Sequence, residues 1–188
     1  MRHRFSSRTM GLLSLVLVVG AGVGTTAAAG QAPSANEGVY FRAVADYFRV
    51  APEEVAILRE WNVSTEEVPV VLFVAGRAGV PPDVVVAIRQ DGSSWSEVAQ
   101  RYRLGAGAFY LQINDDGEGS LSRAYGMFNR TPQPEWPAIL LLDREIVSLV
   151  NLRVISQNLA MPPSQVLAAR DRVGSYVLGY DELRRERP

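Results

Sequence analysis

Three stretches of this chain repeat one pattern, and that pattern constrains the fold more than any other feature. Pro52-Glu-Glu-Val55-Ala-Ile-Leu-Arg59, Pro82-Asp-Val-Val85-Val-Ala-Ile-Arg89 and Pro163-Ser-Gln-Val166-Leu-Ala-Ala-Arg170 each carry valine three residues after proline and arginine seven after it. Proline lacks an N–H and holds φ near the helical value, so it suits the first position of a helix. Valine and the apolar residue near +6 form an inward stripe, and arginine falls at the C-terminal end, where the helix dipole favours a cation. The pattern predicts three helices of two to three turns. Asn62 and Gly92 stand where a left-handed residue closes such a helix. Ser64 with Glu67, and Ser94 with Glu97, match the capping box. The third copy keeps Ser175 but has Leu178 in place of the glutamate, which predicts a weaker cap.

Each short helix follows an apolar or amphipathic segment, over residues 39–50, 68–78 and 146–159. The middle one contains Val70-Val-Leu-Phe-Val-Ala75 and is apolar nearly all round, as a helix covered on every side would be. Asp143 is the expected N-cap of the last. The fold expected is all-α: helical hairpins around one core, as a compact bundle or a short solenoid. Residues 105–137, rich in Gly, Asn, Asp and Pro, read as one long irregular loop. Residues 109–113 and 138–142 are candidate minor strands. A loop that long in a compact domain is the first place to look for function.

Met1 to Met10 holds Arg2, Arg4 and Arg8 and no acid, an apolar run of about 14 residues follows, and Ala27-Ala28-Ala29 supplies small residues. That order predicts an export signal over residues 1–29, since the run is shorter than the about 20 residues of a stable membrane span. A disordered lead-in is expected over residues 30–38 and one helical domain over 39–188, with no stable membrane anchor after cleavage. Cysteine is absent, all 19 basic residues are arginine, and the only histidine, His3, lies in the expected signal. Serine–histidine and cysteine–histidine catalysis, lysine Schiff bases, disulfides and nitrogen- or sulfur-ligated metals therefore fall outside the chemistry of the expected mature domain. Without its three leader arginines that domain has 16 basic against 20 acidic residues, near −4, unlike the basic face of a nucleic-acid binder. No cofactor is expected.

Several motifs admit a functional reading beside a plainer one. Residues 82–104 open like a helix-turn-helix, but Gly105-Ala-Gly-Ala108 stands where the recognition helix should follow. A structural hairpin with Trp95 in the core is the expectation. The run Gln112 to Gly119 is like a calcium loop whose first position is glutamine and whose twelfth is Arg123, so an acidic turn is expected instead. Glu53-Glu54 and Glu66-Glu67 read as charges at helix N-termini, because adjacent residues on a helix do not face one another. Asn114, Asp115, Asp116, Arg123 and Tyr125 make up the candidate contact loop. Arg123 and the aromatics near Gly126 could hold a carboxylate or a sugar ring; the plainer reading has Tyr125 and Phe128 tuck the loop onto the core.

The succession of the Pro-x-x-Val-x-x-x-Arg unit, Val68-Pro-Val-Val-Leu-Phe-Val-Ala75, Gly92-Ser-Ser-Trp95, Arg123-Ala-Tyr-Gly126 and residues 147–156 resembles a group of exported bacterial all-helical proteins without assigned activity. The resemblance runs from about Val39 onward and implies a helical fold and bacterial export, and no site residues. The function expected is therefore binding or structural, in the periplasm or envelope, by a monomer or weak associate, with an envelope protein or polysaccharide as partner. The alternative is a hydrolase of envelope polymers using carboxylates of residues 114–118.

Overall fold

The structure is a computed structural model, and it describes residues 34–113 and 119–187. The expected signal and residues 30–33 of the expected lead-in lie outside the described residues. All three copies of the repeated unit are helices that begin at their proline: α2 (Pro52–Glu60), α4 (Pro82–Gln90) and α8 (Pro163–Val173). Val55, Val85 and Val166 are buried to 1 % exposure or less. Asn62 and Gly92 take φ of 60° and 94°, the left-handed closing conformation their positions predict.

The arginine of each unit does more than face a dipole. Arg59, Arg89 and Arg170 lie 5.3, 5.2 and 5.6 Å from the ring centroids of Phe41, Trp95 and Tyr176. In the second and third copies that ring belongs to the first residue of the next helix, α5 (Trp95–Arg101) and α9 (Tyr176–Arg185). In those two copies the arginine thus covers the aromatic that opens the following helix, and the helix–turn–helix closes on itself.

The remaining helices are α1 (Ala35–Phe48), α3 (Val68–Ala78), α6 (Ser122–Arg130) and α7 (Asp143–Leu159). Buried residues run without a break from Val68 to Ala75 in α3 and ring α7, from Ile146 through Leu159. These two helices pack on each other at the centre, and α1, α5, α8 and α9 pack around α7. Because α1 also packs on α9, elements from opposite ends of the described chain meet. That closure makes a compact bundle, since a solenoid joins only neighbouring repeats. Helices α8 and α9 approach closely, and a Cβ at Gly179 would sit 3.3 Å from the Arg170 backbone nitrogen.

Four expectations need correction. The lead-in is not unstructured throughout: α1 begins at Ala35, because Ser34 and Glu37 form a capping box, the glutamate accepting from the Ser34 N–H at 2.9 Å. Residues 105–137 are not one loop; they contain short 3₁₀ turns at Ala106–Ala108 and Gln133–Ala138, with α6 between them. No strand forms among the described residues. The Arg153 guanidinium takes the carbonyls of Phe109 and Tyr110 at 3.3 and 2.7 Å, and Arg123 takes that of Leu140 at 3.0 Å, so side chains satisfy backbone that a ladder would have used. Asp143 opens α7 but caps α5, accepting from the Trp95 N–H at 2.9 Å. Glu145 meets the N-terminus of α7 instead, from the Leu142 N–H at 2.8 Å.

The third cap is repaired through space. Glu66 Oε1 accepts from the Ser175 hydroxyl at 2.8 Å and from the Tyr176 N–H at 2.6 Å, supplying the carboxylate that Leu178 cannot. Replacing Glu66 with alanine is expected to cost about 1–2 kcal/mol, the usual range for a lost helix cap. Amide hydrogen exchange should localise that loss to the start of α9.

Candidate functional site

Asn114, Asp115 and Asp116 of the candidate contact loop lie outside the described residues. Arg123 and Tyr125 are described, and both are bound to the protein itself. Arg123 lies in the first turn of α6 and grips Glu145, which is 1 % exposed, with Nε–Oε1 at 2.8 Å and Nη2–Oε2 at 2.5 Å. That two-pronged grip raises the arginine's pKa, chiefly through the hydrogen bonds to Glu145. Tyr125 is 7 % exposed and donates its hydroxyl to the Leu111 carbonyl at 2.6 Å, and burial pushes its pKa up. Its ring packs beside Tyr110 and Phe128, so the plainer reading of this segment matches the structure. Ser120 ties the same segment to α8 through Asp171, and Gly119, at φ 92°, leaves no room for a side chain, since a Cβ would come within 2.4 Å of that carboxylate.

Carboxylates are engaged at the corner between α2 and α3. Glu66 and Glu67 point apart: Glu66 caps α9, while Glu67 Oε1 accepts from Arg89 Nη2 and Trp95 Nε1, both at 2.8 Å. Arg89 also approaches Asp143 at 3.2 Å. Burial alone would push the Glu67 carboxyl up, but hydrogen bonds from Arg89, Ser64 and Trp95 hold it below the ordinary value of 4.5. A depressed folded pKa stabilises the fold above 4.5, and that contribution disappears as the pH drops through the folded value. Glu37 and Asp171 are lowered too, Glu37 chiefly by the Ser34 backbone N–H and Asp171 by Ser120 and Arg170 against its own burial. The urea midpoint should thus hold steady from neutrality to about pH 5 and drop below about pH 4, with a shallower drop in Glu67→Gln.

Glu37 and Glu66 line one open cleft of about 480 Å³ with Ser34, Ser64, Thr65 and Ser175. Glu37 holds the Ser34 N–H and the Thr65 hydroxyl there, and its lowered pKa keeps it ionised, the opposite of what a general acid needs.

A different kind of surface lies between α2 and α4. Ile57 and Trp61 on the α2 side are 41 % and 38 % exposed, and Val84 of α4 is 39 % exposed. Between the two helices Ile57, Leu58, Trp61, Leu72 and Pro82 line a groove of about 140 Å³ with Glu54 and Asp83. Gln90 Nε2 donates to the Trp61 carbonyl at 2.7 Å and holds this wall beside the end of α4.

The repeat shows how unusual that wall is. The fifth residue after proline is exposed in all three copies, being Ile57, Ala87 and Ala168, and the ninth is Trp61, Asp91 and Arg172. Only the first copy puts large apolar groups there. Aligning the copies at these outward positions would have found the groove, but the inward stripe draws attention first. Compared with family models, curated proteins and solved structures, the chain matches none of them.

Proposed function

We propose that this domain is a non-catalytic binding module, exported to the bacterial periplasm or cell envelope, which engages a partner through the α2–α4 face. The observation that carries the reading is the placement of Ile57 and Trp61, large apolar side chains at positions that are small or charged in the sister copies. Both side chains stand outside the buried core, and an exposed apolar cluster with a charged rim is what a contact surface requires. Export is supported by the basic, apolar and small-residue order of residues 1–29.

Affinity capture from an envelope fraction with the wild-type domain and with Trp61→Glu tests this, run beside incubation with purified peptidoglycan. A partner should be held by the wild type and lost by the variant, with no soluble fragments released. Release of reducing ends, abolished by Asp115→Asn with Asp116→Asn, would replace binding with hydrolysis.

A further inference from the structure

The chemistry of the α2–α4 groove defines its occupant. Resting on the binding reading above, we propose that it takes a polypeptide segment that inserts one large apolar side chain and sets an arginine or lysine against Glu54 and Asp83. Size comes first. A cavity of about 150 Å³ holds a benzene ring, whereas sites for small-molecule ligands run to about 300 Å³ or more. The groove's 140 Å³ therefore fits a single leucine-, isoleucine- or phenylalanine-sized group, an anchor rather than a whole ligand.

Charge comes second. Glu54 and Asp83 stand in the lining itself, and Glu53 precedes Glu54 in the exposed first turn of α2. A second copy of this face would bring two sets of acids into one contact. An anionic lipid surface meets the same repulsion. A cationic side chain is the complement. Glu54 and Trp61 are seven residues apart, about 10 Å along the helix, which sets the partner's basic residue within about two turns of its apolar anchor. The partner is therefore a short amphipathic segment, apolar at one point and basic close by, laid along α2.

Selection of a random twelve-residue displayed peptide library on the full domain is the test. The expected consensus has one bulky aliphatic or aromatic residue with arginine or lysine within seven positions. A synthetic consensus peptide should bind about tenfold more weakly to Ile57→Asp, as loss of a buried anchor predicts. Glu54→Gln combined with Asp83→Asn should weaken it about threefold to tenfold in low salt and much less at 1 M NaCl, where the screening length is about 3 Å. These positions are exposed or at the rim, and an unchanged thermal melt by circular dichroism confirms that each variant folds.

A consensus without a basic residue, or binding indifferent to the Glu54/Asp83 pair, overturns the occupant while leaving the binding face in place. No enrichment, or binding indifferent to both Ile57→Asp and Trp61→Glu, overturns occupant and face together. Partition into vesicles of phosphatidylglycerol or phosphatidylcholine, or a sedimenting dimer broken by Trp61→Glu, assigns the face to a membrane or a second copy and overturns the peptide.

Discussion

Trp95→Ala is expected to lower stability by about 4–5 kcal/mol, near the top of the range for truncating a buried aromatic. Trp95 has no exposed surface, and three elements meet on it. Its ring lies under Arg89, its Nε1 donates to Glu67 and its backbone N–H to Asp143. Alanine keeps only the last of these. The cavity and the missing donor would then act together, leaving the Glu67–Arg89 pair at the edge of a void. Urea denaturation should show a lower midpoint with little change of slope, and the melting temperature should fall by about 10–15 °C for a domain this size. Trp95→Phe separates the two causes: it keeps a ring under the guanidinium and loses the indole donor, at about 1–2 kcal/mol. A cost below about 1 kcal/mol for the alanine variant would mean that Trp95 does not hold the α4–α5 hairpin to α7.

Arg123→Ala is expected to cost about 3 kcal/mol, because it strands the buried carboxylate of Glu145. The figure sits at the low end for a broken buried pair, since the arginine side chain is 41 % exposed and water will reach part of the gap. Lysine should rescue only in part, because one ammonium cannot reproduce a two-pronged grip on the carboxylate together with the bond to the Leu140 carbonyl. The double replacement Arg123→Leu with Glu145→Leu should recover only part of that loss, because it removes the stranded charge but also the Glu145 contact to the Leu142 N–H at the start of α7. Thermal melts of the four proteins check this. If Arg123→Ala melted with the wild type, the pair would be a surface contact of little consequence, and Arg123 would again be available to a ligand.

Both residues show how differently local and long-range information read out. Trp95 was legible as a core residue because it follows a capping serine and opens an amphipathic turn. Arg123 was legible only as a chemically capable side chain, and its commitment to Glu145, 22 residues on, was not. The same holds for the acids: the pairing of Glu66 with Tyr176 joins residues 110 apart, and no local pattern marks it. The α2–α4 groove was half legible. Ile57 and Trp61 stand out once the copies are aligned, but that they border an open slot rather than another helix depends on what α3 and α4 leave uncovered.

Proline placement, valine stripes and left-handed closing residues determined the three repeated helices and their ends. Those signals act within a turn or two of backbone, and neighbouring residues alone set their energies. Tertiary structure decided which carboxylate serves which helix end, that Arg123 is committed to Glu145 while Tyr125 is buried, and that α1 closes against α9 to make a bundle. These outcomes depend on distances between residues far apart in sequence, where desolvation makes each buried polar group take whichever partner the packing brings within reach.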